Sequence, residues 1–289
     1  MTMQNATFKQ QFLDKGYFTV PKVIDAAGLD ILRKAADDCM NDTTDPGRVT
    51  EVDGKTVRGL HGAHLRNEAL ATLCRHPTLL GAAKFVLGED VYVHQFKLNI
   101  KAAFVGDVWE WHQDMTFYHR EDELPEPQFL TVAVFLDDVT EFNAPLTVIP
   151  GSHVDGFKES IKHTIDTYDK QSDWLSNTTA KLRYTVDRNV LREMVRLHGM
   201  DAPKGKAGDI VVFHANLFHA SGVNISPFDR RVAFISYNSV KNLPVQTRPP
   251  RPEFLAARDY SPLTPRELGD LSPNRDCPED GRVRAEVAS

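Results

Sequence analysis

Cysteine is scarce in this sequence, which carries three cysteines among 289 residues. Cys39, Cys74 and Cys277 are an odd number without paired spacing, whereas folds stapled by disulfides carry closely spaced cysteines in even number. The pattern excludes a disulfide framework and predicts free or buried thiols in a reducing compartment. We therefore expect a cytoplasmic protein.

Long apolar runs and basic clusters are missing as well. No stretch approaches the roughly 20 apolar residues that a membrane-spanning helix needs, and the first ten residues lack the apolar core and cleavage site of a signal peptide. The formal net charge is −6, which argues against a nucleic-acid surface or an anionic membrane as the main partner. We expect a small molecule as the partner instead.

The composition is typical of a globular protein. Hydrophobic residues make up 41% of the chain and charged residues 26%, which is enough to bury a sizeable core. Because barrels and sandwiches of this length form one unit, we predict a single domain over 1–289. Within it, 1–90 is predicted as a mostly helical part, about 91–240 as the core and 241–289 as an extended C-terminal segment.

Helical and strand patterns divide the chain near residue 90. Before that point apolar residues recur at helical spacing, with Asp25 as a helix cap, Pro77 in a first turn, and Gly16 and Gly88 at helix ends. After it, many short segments alternate between apolar and polar residues, which argues for a sandwich or a barrel. Helices are predicted at 6–15, 25–40, 67–75, 77–87, 156–170 and 185–198, and strands at 17–20, 91–101, 108–115, 129–136, 146–149, 209–213 and 232–239. Turns are predicted through 41–66, with a hairpin turn at 53–54.

The segment Trp111-His-Gln-Asp114 lies inside one of the predicted strands. Because side chains alternate across a strand, His112 and Asp114 share one face, and Trp111 and Gln113 share the other. An imidazole and a carboxylate side by side are two of the three ligands of a 2-His-1-carboxylate triad, which leaves positions open on Fe(II). The pair alone is a weak signal, since the chain has 11 histidines.

A third ligand is expected about a hundred residues later. His219 is preferred, because Arg230 follows eleven positions later at the start of a predicted strand. An arginine so placed can clamp the far carboxylate of a dicarboxylic co-substrate through two hydrogen bonds. His214, at the end of an apolar strand, is the competing third ligand. Together with the first two residues, this pattern predicts an iron site and its co-substrate.

Six stretches of the sequence carry a family resemblance: 94–101, 111–114, 118–122, 143–153, 216–230 and 251–258. The sequence resembles the phytanoyl-CoA dioxygenase superfamily of Fe(II)/2-oxoglutarate oxygenases, and within it most resembles ectoine hydroxylase and its bacterial relatives. The resemblance implies a mainly β fold with flanking helices and a double-stranded β-helix (jelly roll, cupin-like) core. It also implies the cofactors Fe(II), 2-oxoglutarate and O₂, and a monomer or a homodimer.

The resemblance assigns roles around the metal position by position. Arg230 matches the 2-oxoglutarate clamp, and Ser221 matches a hydroxyl that binds the same carboxylate. Asn99 matches an amide near the co-substrate, Lys97 takes the place of a second basic residue, and Trp109 stands where a Phe packs against the co-substrate. Ordinary packing or hydrogen bonding remains the alternative for Asn99, Ser221 and Trp109.

Substrate contacts are implied by the same resemblance. Gln95, Tyr118, Thr131 and Phe234 stand at positions that line the ectoine pocket. Tyr118 replaces a Trp there, and Glu123 stands where a Gly is usual, so the pocket is expected to differ in shape. One amide, one hydroxyl, one phenol and one phenyl ring suit a small polar substrate with an apolar part, such as an amino acid, better than a fatty acyl-CoA. For Gln95 and Thr131 the alternative is a strand side chain without a role.

Other histidines and acidic residues are given structural interpretations. His153 follows a turn and is expected to cap a strand end, and His119 is expected in a loop hydrogen-bond network. His61 and His64 are candidates for a second metal site, but the sequence offers no third ligand beside them. The acidic run 121–126 is predicted as a solvated loop that can lie over the active site.

The sequence therefore predicts a 2-oxoglutarate-dependent non-haem iron dioxygenase. The expected reaction is hydroxylation of an unactivated C–H of a small polar metabolite, an amino acid or an ectoine-like derivative. Halogenating relatives have a small residue in place of the carboxylate ligand, so Asp114 favours hydroxylation. Two alternatives stay open: desaturation, epoxidation or rearrangement in a natural-product pathway with the same cofactors, or a non-catalytic jelly-roll binding protein. The complete ligand and clamp set argues against the latter.

Overall fold

The computed structural model of the protein describes residues 6–154, 164–166 and 182–271. The helices in these ranges are α1 (Ala6–Lys15), α2 (Ala26–Asn41), α3 (Glu68–Leu73), α4 (Pro77–Leu87), α5 (Asp114–Asp122) and α6 (Arg188–His198). The strands are β1 (Tyr17–Val20), β2 (Arg48–Thr50), β3 (Val57–His61), β4 (Val91–Lys101), β5 (Trp109–His112), β6 (Phe129–Phe135), β7 (Leu146–Val148), β8 (Thr164–Asp166), β9 (Tyr184–Val186), β10 (Ile210–His214), β11 (His219–Ser221) and β12 (Arg230–Ser239). Among the described residues, no helix has the length and apolar character that crossing a membrane requires.

Two antiparallel sheets form the core. The larger sheet has the strand order β1-β10-β6-β12-β4-β3-β2, and the smaller sheet has the order β5-β11-β7. They pack through a shared apolar cluster that includes Phe135 and Val211 of the larger sheet and Leu146 and Val148 of the smaller one. This closure of one sheet over the other is the jelly-roll arrangement expected from the sequence.

Each central strand of the larger sheet has an apolar face and a pocket face. On β6, Val132 and Val134 belong to the apolar cluster that includes α2 and α4, and strand alternation places Thr131 on the opposite face. On β4, Leu98 belongs to the same cluster and Asn99 faces the other way. Each apolar side chain buried in this manner stabilises the fold by about 1.5–3 kcal/mol. The alternation thus separates residues that stabilise the sheet from residues that line the pocket.

Predicted helix boundaries in the first ninety residues are confirmed by their caps. Asp25 precedes α2, and its Oδ1 accepts a hydrogen bond of 2.8 Å from the backbone N–H of Gly28. Pro77 is the first residue of α4, and Gly88 ends this helix in the left-handed conformation, with φ +72°. Gly16 separates α1 from β1 with φ +79°, and a Cβ there would lie 2.6 Å from His153 Nδ1. These boundaries follow from local chemistry that the sequence displays directly.

The stretch 41–66 contains the hairpin turn predicted at 53–54 and, beside it, two strands whose positions were not predicted. The predicted turn is present, since Gly54 adopts φ +68° and an Asp53 carboxylate oxygen accepts hydrogen bonds from the N–H groups of Lys55 and Thr56. On either side of it, however, the chain pairs as the hairpin β2–β3. β2 has only three residues, which is too short for an alternating pattern to be recognised.

The helix predicted at 156–170 is wrong at Thr164–Asp166, which forms β8 and pairs with β9. The other residues of this prediction lie outside the described residues, as does Cys277. The helix predicted at 185–198 is present but begins at Arg188, because the Asp187 side chain caps it by accepting hydrogen bonds from the backbone N–H groups of Asn189 and Val190.

Candidate active site

The strand that carries the first metal-ligand candidate ends earlier than predicted. β5 ends at His112, and Asp114 is the first residue of α5, so the strand predicted over 108–115 is wrong beyond residue 112. Gln113 between them keeps an extended backbone, with φ −127° and ψ 130°. His112 and Asp114 therefore still project to one side, while Gln113 is buried and donates a hydrogen bond to the carbonyl of Asn216. A carboxylate in the first turn of a helix is also favoured by the helix dipole.

His219 lies directly across the smaller sheet from His112. The two residues are paired between β11 and β5, and their ring centroids are 4.1 Å apart. Asp114 Oδ1 lies 3.7 Å from His112 Nε2 and 3.6 Å from His219 Nε2. One donor atom from each of the three residues fits within 4.8 Å of the other two. The pairing of two strands and the start of one helix thus bring together candidate ligands that are over a hundred residues apart in the sequence.

Both imidazoles are oriented so that the Nε2 lone pair is available to a metal. His112 Nδ1 lies 2.6 Å from the carbonyl oxygen of Glu110, and His219 Nδ1 lies 3.0 Å from that of Leu217. Because a carbonyl only accepts, each Nδ1 carries the proton and each Nε2 presents a lone pair. Burial, followed by the neighbouring His219, lowers the pKa of His112 well below its usual value. His112 is therefore neutral, as a metal ligand must be.

His214, the competing third ligand, lies outside this cluster. Its Nδ1 accepts a hydrogen bond from the backbone N–H of Asn216, and its ring packs against Phe12 and His153, with centroids 5.5 Å and 5.2 Å away. His153 in turn bonds to the carbonyl of Leu13, which agrees with a structural role. The choice of His219 over His214 is supported by this geometry.

Arg230 is a buried cation without an anionic partner. It is 2% exposed, and its guanidinium donates to Asn99 Oδ1 at 3.1 Å and to the carbonyls of Asn143 and Ala144 at 3.4 Å and 2.5 Å. Within the described ranges no carboxylate lies at ion-pair distance from it. Burial lowers its pKa to about 10, so it remains charged at neutral pH. A buried charge of this kind requires an anion to compensate it.

Trp109 makes contacts with two basic side chains. Lys97 Nζ lies 3.3 Å from the ring centroid and the Arg58 guanidinium 3.9 Å from it. Burial, and then the charge of Arg58, lower the pKa of Lys97 to about 7. Arg58 itself is ion-paired with Glu51 at 3.1 Å. Two cation–π contacts hold the indole more firmly than ordinary core packing would.

One cavity of about 910 Å³, including its open mouth, connects all these groups. Hydrogen bonds order its polar wall: Thr131 Oγ1 lies 3.0 Å and Tyr118 Oη 2.8 Å from Ser236 Oγ, while Gln95 donates to the carbonyl of Leu255. Thr131 Oγ1 also donates a long bond of 3.4 Å to Asp114 Oδ2. The cavity is lined by every predicted site residue, namely His112, Asp114, His219, Arg230, Ser221, Asn99, Lys97, Trp109, Gln95, Tyr118, Thr131 and Phe234.

Comparison with known proteins gives this arrangement a family. Residues 12–232 match the model of phytanoyl-CoA dioxygenase (PhyH). The chain belongs to the phytanoyl-CoA dioxygenase family. It is 41% identical over 220 residues to L-proline trans-4-hydroxylase of Streptomyces griseoviridis, which covers 76% of this chain and 81% of that protein. It is 36% identical over 262 residues to ectoine dioxygenase of Sphingopyxis alaskensis, which covers 89% and 84%.

Solved structures agree with this assignment. EctD from S. alaskensis with 2-oxoglutarate and 5-hydroxyectoine matches with a TM-score of 0.75 and 31% identity, over 91% of this chain and 88% of that one. The EctD structure with bound Fe matches with a TM-score of 0.76 at the same identity and coverage. This member of the phytanoyl-CoA dioxygenase family is therefore a 2-oxoglutarate-dependent non-haem iron dioxygenase with a jelly-roll core. The prediction of its class from the sequence is confirmed.

The residues present fit both cofactors of the family. Two neutral Nε2 atoms and one carboxylate are the donor set that suits a non-haem Fe(II) with open positions. The buried Arg230 has no anionic partner among the described residues, and a dianionic 2-oxoglutarate would provide one. The alternative of a non-catalytic jelly-roll binding protein finds no support in this geometry, since the candidate ligands and the buried cation all face one cavity.

The acidic run 121–126 is not simply a solvated loop. Asp122 is the last residue of α5 and is 7% exposed. Its carboxylate accepts two hydrogen bonds of 2.7 Å from Arg251 and lies 2.8 Å from His94 Nε2. Arg251 also lines the cavity, a role that the sequence argument missed although the residue begins one of the family stretches. The pair joins the C-terminal segment to the pocket wall.

Glu123 explains a departure from the family pattern. It caps the C-terminus of α5 with φ +57°, a left-handed conformation in which glycine is favoured. Its carboxylate accepts a hydrogen bond of 2.6 Å from the backbone N–H of Thr247, which helps to hold the strained residue. His119, near the end of the same helix, bonds to the carbonyl of Leu124, so it has the local role expected but on a helix instead of a loop.

His61 and His64 do not form a second metal site. Within the part of the chain that the structure describes, the only group of three potential ligands is the triad. The ring of His64 packs on Phe96 with centroids 5.2 Å apart, whereas His61 lines the active-site cavity. The position of His61 in the cavity could not be predicted from the sequence, because β3 was not predicted as a strand.

Proposed function

We propose that the enzyme hydroxylates an unactivated C–H of a free amino acid or a compact amino-acid derivative. The observation that carries this proposal is the lining of the cavity beside the triad, where an amide, two hydroxyls and a phenol share the cavity with the phenyl rings of Phe117 and Phe234. Such a mixture suits a small molecule with polar ends and an apolar ring or chain. The names of the relatives, which act on L-proline and ectoine, support the same class.

We assign the site residues as follows. His112, Asp114 and His219 hold the iron. Arg230 binds the far carboxylate of 2-oxoglutarate, with help from Ser221, Asn99, Lys97 and Trp109. The substrate contacts are Gln95, Tyr118, Thr131 and Phe234. The supporting observation is that all these side chains face the same cavity.

Iron with O₂ and 2-oxoglutarate supplies the oxidant, and the co-substrate is converted to succinate and CO₂. The chain orients the reactants. Thr131 donates a hydrogen bond to Asp114 Oδ2, and the other oxygen, Oδ1, faces the two imidazoles, so Asp114 would offer Oδ1 to the iron. The buried rings of Trp109 and Phe117 exclude water from this side of the cavity.

The first experiment tests the cofactor assignments. Fe(II) and 2-oxoglutarate added without oxygen are expected to give a weak visible charge-transfer band in the wild type. Asp114→Ala and Arg230→Ala are expected to abolish or weaken the band, whereas His214→Gln, outside the cluster, is expected to keep it. An undiminished band in both of the first two variants contradicts the assignments.

The second measurement identifies the substrate class. Succinate release is followed across a panel of free amino acids, N-acyl amino acids, ectoine and fatty acyl-CoA esters. Stimulation by free amino acids, with one oxygen atom gained in the product, is the expected result. Loss of two hydrogens instead of oxygen gain indicates desaturation, and stimulation by acyl-CoA esters alone contradicts the small-metabolite proposal.

We also propose that residues 1–289 act as one oxygenase domain in the cytoplasm, as a monomer or a homodimer and without a nucleic-acid or membrane partner. Cys39 and Cys74 are both unpaired, which suits a reducing compartment. The net charge of −6 disfavours polyanionic partners. Light scattering on the purified protein measures the oligomeric state directly.

A further inference from the structure

His61 occupies a pocket position that neither the iron nor 2-oxoglutarate explains. It is the last residue of β3 and pairs directly with Lys97 of β4. Residues directly opposite in antiparallel strands project to the same face, so both side chains lie on the pocket face of the larger sheet. His61 is 4% exposed and lines the cavity together with Gln95, Arg251 and Leu255.

The imidazole of His61 lacks hydrogen-bond partners. Neither Nδ1 nor Nε2 makes a hydrogen bond within the described part of the chain. The other pocket histidines differ, since His112 and His219 each bond to a backbone carbonyl. Buried polar atoms are normally paired, and those that are not call for a missing partner. An imidazole on a cavity wall can obtain that partner from a molecule in the cavity.

The surroundings of His61 define the chemistry of such a partner. Its burial, and then the charges of Lys97 and Arg251, lower the pKa of His61 well below its usual value. The neutral ring offers one N–H donor, and the two cations make this part of the cavity positive. An anionic acceptor, such as a carboxylate, fits both conditions. Arg251 is already paired with Asp122, so its charge is partly compensated.

A second carboxylate position is thereby separated from the first. Arg230 begins β12 and pairs with Lys101, whereas His61 pairs with Lys97, four residues earlier on β4. The two positions thus lie at different levels of the same sheet. Lys97 lies between the two positions, because it is paired with His61, and Asn99, two residues further along the same face of β4, contacts Arg230. If Arg230 binds the far carboxylate of the co-substrate and the triad iron its keto-acid end, a further carboxylate at His61 belongs to the substrate.

We propose that His61 is a specificity-determining residue that donates a hydrogen bond to the carboxylate of an amino-acid substrate. This inference rests on the proposed function. It predicts that the enzyme prefers a free acid over the corresponding carboxamide, because only the acid carries the charge that His61 and its neighbouring cations complement.

The test is His61→Phe, which keeps an aromatic ring of similar size and removes both nitrogens. With an amino acid that the wild type hydroxylates, KM is expected to rise about tenfold or more, the effect of one hydrogen bond to a charged group. The preference of the wild type for the acid over its carboxamide, measured as the ratio of kcat/KM values, is expected to fall by the same factor. The Kd of 2-oxoglutarate, measured from the charge-transfer band, is expected to stay within about twofold.

His64→Phe is the matched control. His64 lies three residues further along, its ring is packed on Phe96, and its Nδ1 is also buried without a partner, but it does not line the cavity. It is expected to leave the acid-to-amide preference unchanged. His61→Gln, which restores a donor, is expected to recover part of the lost preference.

The outcomes separate the two proposals. A wild type that hydroxylates no amino acid overturns the proposed function and the carboxylate assigned to His61 with it. A wild type that does so, with the same acid-to-amide preference in His61→Phe, overturns the His61 proposal alone. An equal loss of preference in His64→Phe, or a parallel loss of 2-oxoglutarate affinity in His61→Phe, also overturns it.

Discussion

The chemistry of this site depends on which side chains have hydrogen-bond or charged partners within the protein and which do not. The two triad imidazoles are oriented by backbone carbonyls of residues two positions before each of them. Arg230 is the opposite case, because its guanidinium meets only neutral oxygens of Asn99, Asn143 and Ala144. An imidazole oriented in this way is suited to bind a metal, and a buried cation without an anionic partner indicates a binding site for an anion.

Replacing Arg230 is expected to weaken 2-oxoglutarate binding and to raise the stability of the ligand-free protein. Arg230→Met removes a buried charge and keeps much of the side-chain volume, so the free energy of unfolding without ligands is expected to rise by about 1 kcal/mol or more. The affinity for 2-oxoglutarate is expected to fall about 100-fold or more, since a buried charge pair is lost. Thermal unfolding with and without 2-oxoglutarate measures both effects, because the ligand raises Tm only when it binds.

Arg231→Met is the adjacent control. Arg231 is ion-paired with Asp137 at 2.9 Å and with Asp37 at 2.6 Å, and it does not line the cavity. Its loss is expected to lower stability slightly and to leave the Tm increase from 2-oxoglutarate intact. A less stable Arg230→Met protein with normal 2-oxoglutarate affinity contradicts the interpretation of Arg230 as an anion site.

At the scale of elements, α5 organises the site. Asp114, Tyr118 and Asp122 are four residues apart and therefore share one face of the helix. This face carries a proposed metal ligand, a proposed substrate contact and the ion pair to the C-terminal segment. From the sequence, Asp114 was predicted in a strand and Asp122 in a loop, because the apolar pattern of this short helix is weak.

The ion pair at the end of α5 is expected to make stability depend on acid. Burial by itself raises the pKa of Asp122, but the charge of Arg251 and the hydrogen bond from His94 outweigh this effect and lower the pKa to about 2. A carboxyl whose folded pKa is depressed stabilises the fold above its unfolded pKa and loses this contribution as pH falls through the folded value. The contribution is about 2 kcal/mol at neutral pH, and it disappears between pH 4 and pH 2.

Asp122→Asn tests this expectation by urea unfolding across that pH range. At neutral pH the variant is expected to be about 3 kcal/mol less stable, because Arg251 is left buried without its partner. The difference from the wild type is expected to shrink as pH falls from 4 to 2. Glu126→Gln, an exposed acid of the same run, is expected to change stability by less than about 0.5 kcal/mol. A difference that is constant with pH contradicts the assignment.

For the whole molecule, the sequence predicted those elements that show a periodic apolar pattern or a helix cap, and those residues that match a family motif. The larger strands and the capped helices were found from alternation and from residues such as Asp25 and Gly88. The His112, Asp114, His219 and Arg230 set came from spacing and resemblance. His61 and Arg251 were not predicted as pocket residues. The pairing of β3 with β4 brings His61 to the cavity, and the fold of the C-terminal segment brings Arg251 there. Neither arrangement can be recognised from the neighbouring sequence.

Neighbouring residues of the larger sheet are expected to differ in role, one contributing to stability and the next to co-substrate binding. Leu98 and Asn99 are both buried, but Leu98 packs in the helix-covered core and Asn99 faces Arg230. Leu98→Ala is expected to lower the free energy of unfolding by about 3 kcal/mol and to leave the Kd of 2-oxoglutarate within about twofold. Asn99→Ala is expected to raise that Kd about tenfold, while costing about 1 kcal/mol of stability.

The comparison of these two variants uses one urea titration and one binding titration for each. Because the two residues are consecutive on β4, differences in position along the chain cannot account for opposite outcomes. Only the face to which each side chain projects differs. If Asn99→Ala loses as much stability as Leu98→Ala and binds 2-oxoglutarate normally, Asn99 belongs to the core and the co-substrate is held by Arg230 without it.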